Sequence, residues 1–220
     1  MTWAERAAER SPGVPRSRAN RADRGEQASA TAAAIVEAAE RLAAVKGNRF
    51  TTQELAKEAG IALQTFYRHF ESKDHLLLAV LEDIVERSCQ AYRSAGAELT
   101  DPVERLRSYV TSVVAQLDAS GGNLVTARFV TTEHRRLQAL HPLEMAHVNR
   151  PFTDLLRGDI DAAVAAGQAR TTDAGYTAWL LTELVSAVFH HYAFAVDGQP
   201  LEEMASRLWA FCLRGLGGTC

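Results

Sequence analysis

The run Leu63-Gln64-Thr65-Phe66-Tyr67-Arg68-His69-Phe70 decides how the rest of the chain is read. Phe66 and Phe70 stand one helical turn apart on a common face, while Gln64, Thr65, Arg68 and His69 are left pointing elsewhere. Just upstream, Thr51 or Thr52 can cap a short helix that turns Leu55, Ala56 and Ala59 inward, and Gly60 stops it. The stretch Gly60-Ile61-Ala62 then joins two short helices. Further upstream, Ile35, Ala39 and Leu42 share one face of a first helix that begins near Ser29, and Gly47 supplies a left-handed C-cap after Val45-Lys46. Downstream, Ser72 can cap a helix with Asp74 in its first turn, which Leu76, Leu77, Val80, Leu81 and Ile84 carry towards Tyr92.

A short helix, a glycine turn and a second short helix on a third are the arrangement of helix-turn-helix DNA readers, whose second helix lies in the major groove. Residues 63–69 would be that helix, with Leu63 opening it. Gln64 can pair with adenine through two hydrogen bonds, Thr65 can touch a thymine methyl or a phosphate, and Arg68 or His69 can donate to guanine or phosphate. Tyr67 carries a hydroxyl on a rigid arm and Lys73 stands at the start of the next helix, so both suit phosphates. Thr51, Thr52 and Gln53 could add a phosphate contact at the start of the preceding helix.

The resemblance becomes specific over residues 31–81. Ile35-Val36, Ala39, Gly47, Thr51-Thr52, Leu55-Ala56, Ala59-Gly60-Ile61, Thr65-Phe66-Tyr67-Arg68-His69-Phe70 and Ser72-Lys73-Asp74-x-Leu76-Leu77 together resemble the DNA-binding domain of the tetracycline-repressor (TetR) family. That resemblance implies a two-fold dimer that binds double-stranded operator DNA and releases it when a small molecule enters a pocket in a helical C-terminal domain. Two positions depart from the pattern. Many relatives carry Ser or Thr where Ala62 stands, so a cap worth about 1 kcal/mol is missing here. Relatives often carry a small residue where Gln64 stands, and Gln64 thereby becomes the best candidate for a base-specific contact.

The whole-chain charge of −3 would argue against a nucleic-acid partner if it were evenly spread. It is not: residues 1–75 hold 12 basic and 10 acidic groups, and residues 76–220 hold 12 and 17. The DNA-facing unit is therefore the basic one. Residues 1–28, with six arginines diluted by four acids and little that is apolar, read as a solvated tail, the other reading being an arm whose Arg16, Arg18, Arg21 and Arg24 graze a polyanion. The helix-turn-helix unit is assigned to residues 29–75 and a helical effector-binding and dimerisation unit to residues 76–217, giving an all-α fold.

Beyond Gly96 no strand pattern appears. About five helices follow, separated at Asp101-Pro102, Gly121-Gly122, His141-Pro142, Gly158 or Gly167, Asp173 and Gly198-Gln199-Pro200. Residues 176–196 are apolar almost all round, and residues 201–216 add Leu201, Met204, Leu208, Phe211 and Leu216, so these two helices are either central in the monomer or meet a second copy. Candidates for the effector pocket are polar or aromatic groups set in these apolar stretches: Tyr109, Phe129, His134, Phe152, Trp179, Glu183, His190 and Tyr192. Glu183, between apolar neighbours, is the sharpest, because an unpaired buried acid is expensive; a solvent-facing edge or the dimer seam is its other reading.

Three cysteines without a C-x-x-C, an N-terminus without an apolar leader and the lack of a long apolar run suggest a cytoplasmic protein without disulfides. The seven histidines show no H-x-x-x-H pair, and no nucleotide loop or nucleophile elbow is present, so neither a metal, a cofactor nor catalysis is expected. The expectation is a ligand-responsive transcriptional regulator, a homodimeric repressor, with a helical adaptor lacking DNA function as the alternative.

Overall fold

A computed structural model describes residues 18–118, 124–195 and 200–217, with side chains from Glu26 onward. Among these residues the structure is helical and contains no strand. Contacts divide the chain into two units, with the division between Asp83 and Ile84.

The first unit opens with α1, Arg18–Lys46, which starts eleven residues ahead of the expected Ser29; the helix therefore takes in the last part of the supposed tail, and residues 1–17 lie outside the described residues. A short 3₁₀ turn, Gly47–Arg49, follows, and Gly47 has a φ of 60°, the left-handed conformation that ends a helix at no cost only in glycine. Then come α2, Thr52–Glu58, and α3, Leu63–His69, with Gly60 at φ 65° in the turn between them. The helix α4, Lys73–Ala95, begins in this unit. Ile35, Phe50, Leu55, Phe66 and Leu76 are at most 1% exposed and form the core that fixes the short helices. Helices of seven residues are marginal on their own, so α2 and α3 depend on this packing.

The second unit contains the rest of α4 and then α5, Pro102–Ala115, α6, Leu124–Leu140, α7, Pro142–Ala165, α8, Ala174–Tyr192, and α9, Leu201–Gly215. Five helices beyond Gly96 agree with the count read from the punctuation of the sequence. Asp101 caps α5 by accepting from the Val103 amide at 2.8 Å, with Pro102 in the first turn, and Asp173 caps α8 by accepting from the Tyr176 amide at 2.9 Å. Of the two glycine breaks offered for α7, Gly167 is the real one, at φ 73°; the helix runs through Gly158. Gly121, Gly122, Gly198 and Gln199 lie outside the described residues. The core joins Leu106, Val110 and Val114 of α5 to Leu156 and Ile160 of α7, Ala178 and Val185 of α8 and Cys212 of α9, all nearly inaccessible. No helix among the described residues is long and apolar enough to cross a membrane.

Candidate nucleic-acid interface and the polar interior of the second unit

Thr51 takes the N-cap of α2. Its hydroxyl oxygen accepts from the Glu54 amide at 3.1 Å, and the Glu54 carboxylate accepts from the Thr51 amide at 2.8 Å, a reciprocal capping box. Lys46 donates to the same carboxylate at 2.6 Å, and together these contacts hold the Glu54 carboxyl down at about 2. The choice left open between Thr51 and Thr52 thus falls on Thr51, leaving Thr52 half-buried in the first turn and Gln53 exposed.

The recognition helix α3 starts at Ala62 without a side-chain cap, so its hold comes from its apolar face. Phe66 is fully buried, stacks on Phe70 with ring centroids 5.9 Å apart and meets the Tyr67 ring edge-on at 5.0 Å. That packing leaves Gln64, Tyr67 and Arg68 exposed along one edge, with Leu63 and Thr65 half-buried beside them. Spacings of three and four residues put Gln64, Tyr67 and Arg68 on neighbouring positions of the helix surface.

Two members of the expected set turn inward. His69 is 6% exposed with neither ring nitrogen hydrogen-bonded, because it lies three residues from Phe66 and so shares its buried side; burial beside Arg68 pushes its pKa down. A neutral, buried imidazole is not an outward donor, and the expectation for His69 is corrected on that ground. Lys73 donates to the carbonyls of Asn48 and Phe50, the latter at 2.6 Å, and its ammonium lies 4.3 Å from the Phe50 ring centroid. Its charge is spent on the turn between α1 and α2.

The eight effector candidates in the second unit also separate. Trp179 and Glu183 face outward on α8, with Trp179 stacked on Tyr176 at 5.5 Å, so of the readings open for Glu183 the exposed one fits and that of a buried pocket acid is corrected. The correction has a simple cause: α8 buries Ala178, Thr182, Val185 and Phe189, and Glu183 stands off that stripe. Tyr109 is buried beside Asp159, which with burial pushes its phenol up to about 12, and Asp159 is in turn gripped by Arg105 at 2.6 and 2.8 Å. Phe129 and Phe152 are each 8% exposed, and Phe152 meets the Tyr92 ring edge-on at 6.3 Å. Tyr192 is half-buried against His191 at 5.0 Å. His134 of α6 and His190 of α8 come together, with ring centroids 4.6 Å apart, although 56 positions separate them in the chain.

Sequence reading missed the polar groups around that pair. Asn149 on α7 places its amide nitrogen 3.2 Å from His134 Nε2, Thr131 is fully buried on α6, and the hydroxyls of Thr153 and Thr182 meet at 3.0 Å between α7 and α8. The signal was the spacing: Thr131 precedes His134 by three, and Asn149 precedes Thr153 by four, so each pair shares a helix face.

Comparison with known proteins agrees with this division. Residues 35–80 match the bacterial regulatory proteins of the tetR family, and residues 99–216 match the tetracyclin repressor-like C-terminal domain. The transcriptional repressor KstR2 of Rhodococcus jostii (strain RHA1) is 27% identical over 139 residues, covering 62% of this chain and 67% of the relative. The matched stretches span between 44% and 67% of the curated relatives' own lengths. Among solved structures, Thermus thermophilus FadR in complex with lauroyl-CoA superposes with a TM-score of 0.68 at 20% identity, covering 84% of this chain and 94% of that one. Bacillus subtilis FadR in complex with stearoyl-CoA gives 0.67 at 16%, with coverages of 83% and 98%. With its C-terminal match alone spanning more than half of the residues, the chain belongs to the TetR family of bacterial transcriptional regulators, and the helix-turn-helix of its first unit is the DNA-binding domain of that family.

Proposed function

We propose that the protein is a homodimeric repressor that binds a palindromic operator and leaves it when a small molecule occupies the second unit. The observation that carries the reading is the exposed edge of α3, where Gln64, Tyr67 and Arg68 stand on a helix locked by Phe66 and Phe70. Gln64 reads a base, Tyr67 and Arg68 hold phosphates or a guanine edge, and Gln53, Thr52 and Thr65 add contacts at the flanks.

Dimerisation is supported by α8 and α9, which leave large apolar side chains in solvent: Tyr176 at 58%, Trp179 at 46%, Leu180 at 46% and Phe211 at 64%. Exposed aromatics concentrated on two helices are what a subunit interface covers. Two-fold pairing would present two α3 helices to half-sites related by the same axis. Effector binding would change the populations of forms that match and do not match the operator, with α4, which contributes residues to both units, as the element that couples them.

A mobility-shift assay with the promoter DNA flanking the gene tests the reading. The expected result is a retarded band that footprints as an inverted repeat; no shift at low salt overturns it and points instead to a helical adaptor.

A further inference from the structure

Within the second unit, polar side chains of α6, α7 and α8 meet along one seam. On α6, Thr131 is fully buried and its hydroxyl has no hydrogen-bond partner. Leaving a buried polar atom unpaired is costly, so a partner that is not part of the chain is the simplest account of it. One turn further along the same face, the half-buried His134 ring lies against the His190 ring at 4.6 Å. Phe189 adds an edge-on ring 5.9 Å from His190. Thr131 is closed off while His134, Asn149 and His190 retain some accessible surface, so the seam runs from an approachable end to a buried one.

The hydrogen-bonding capacity of this seam is definite. With the Asn149 amide donating to His134 Nε2 at 3.2 Å, the His134 proton sits on Nδ1, which then faces its surroundings as a donor. His190 offers one donor and one acceptor, and Thr131 offers both. Neither Thr131 nor Asn149 carries a charge. Burial pushes both imidazoles down, His190 to about 4, and the charges felt by His190 are those of His134 and the exposed Arg135, both of which disfavour a proton. At neutral pH the seam is a set of uncharged donors and acceptors, which suits an uncharged oxygen, because a carboxylate buried there would have only the solvent-screened charge of Arg135 to offset its desolvation.

We propose that Thr131, His134 and His190, with Asn149 orienting the His134 ring, form the polar end of the effector site and take an uncharged hydroxyl or ketone oxygen carried on an apolar, ring-bearing molecule. The assignment rests on the reading of the second unit as the effector domain, and it adds the chemical class of the ligand's head group. Thr131 and His190 contact the head, whereas Asn149 is a positioning residue.

The test uses the full chain at pH 7.5 and four probes of one shape: ethylbenzene, 1-phenylethanol, acetophenone and 2-phenylpropionate. Binding is followed by titration calorimetry. The alcohol and the ketone should bind about tenfold more tightly than ethylbenzene, the worth of one retained hydrogen bond, and the carboxylate should bind more weakly than either. Thr131→Val, which keeps the side-chain shape, and His190→Phe should each erase the preference for an oxygen head over ethylbenzene, with circular dichroism confirming the native helix content. Equal binding of all four probes, tightest binding of the carboxylate, failure of every probe to bind, or a preference that survives both substitutions overturns the assignment. Each probe is also added to the protein on its promoter DNA. Binding with the expected preference but without loss of the DNA complex supports the polar site and overturns the effector reading; DNA release by probes whose affinity ignores Thr131 and His190 does the reverse.

Discussion

Lys73 is bound to Phe50 twice over: its ammonium donates to the Phe50 carbonyl at 2.6 Å and lies 4.3 Å from the centroid of the Phe50 ring, which is itself buried. A third contact, to the Asn48 carbonyl, closes the grip on the turn that leads into α2. The lysine that the sequence offered as a phosphate ligand thus stands where it fastens the start of α4 to the turn after α1.

Lys73→Ala should accordingly lower the stability of the helix-turn-helix unit by about 1–3 kcal/mol, the scale of a charge-assisted hydrogen bond with its cation-π contact. It should leave the dependence of DNA affinity on salt concentration unchanged. Thermal denaturation and a salt titration of operator binding measure the two effects; a salt slope smaller by about one would restore Lys73 to the phosphate contacts.

Gln64→Ala should weaken operator binding by about 1–3 kcal/mol at one base position of each half-site and relax the preference there. Arg68→Ala should weaken all sequences more evenly and reduce the salt slope by about one. Selection of binding sites from a random pool separates the two, and an unchanged preference for Gln64→Ala excludes it as a base reader.

Trp179→Asp should split the dimer, because it sets a charge in the middle of the exposed aromatic face of α8; loss of a central aromatic anchor costs about 2 kcal/mol or more of association energy. Sedimentation velocity reads the mass. The same variant should lose operator affinity without loss of helix content, since Trp179 is half-exposed in the monomer.

Acid should destabilise the second unit in a defined window. His190 titrates near 4 in the folded chain against an ordinary value of 6.5, so the unfolded chain binds the extra proton first as pH falls. Stability is full above about 6.5 and declines towards 4, by about 2 kcal/mol after allowing for the partial exposure of the ring. His134, lowered for the same reason of burial, acts in the same direction. The slope of unfolding free energy against pH should flatten in His190→Phe.

The helix-turn-helix was legible because its information is local. Phe66 and Phe70 one turn apart, a Thr before Leu55-Ala56 and glycines at Gly47 and Gly60 each specify a piece of backbone within a few residues, and all of them agree. Orientation was harder. Helical spacing could not settle whether His69 or Arg68 followed the Phe66 side, because adjacent positions differ by about a third of a turn and the width of the buried stripe is set by what packs on it. The same uncertainty left Glu183 open between the interior and a solvent-facing edge. The polar seam was least legible of all: His134, Asn149 and His190 come from three helices, and only the packing of those helices brings them together. The arginines from Arg18 to Arg24 read as a tail because composition reports what a segment cannot bury, and says little about a helix that is continued from a well-packed one.

The capping box of α2 bears on how the regulator finds its target. Glu54 already answers the demand of that helix end for negative charge, and the Thr51 and Glu54 amides are both engaged, so neither of these two backbone donors is open to a phosphate. Among the described side chains, Lys73 is also committed inward. A charge or donor held inside the fold does not add to the sequence-independent part of DNA affinity, which is the part that holds a regulator on the wrong sites. Charge withheld from the DNA backbone in this way favours selectivity alongside the base contact proposed for Gln64.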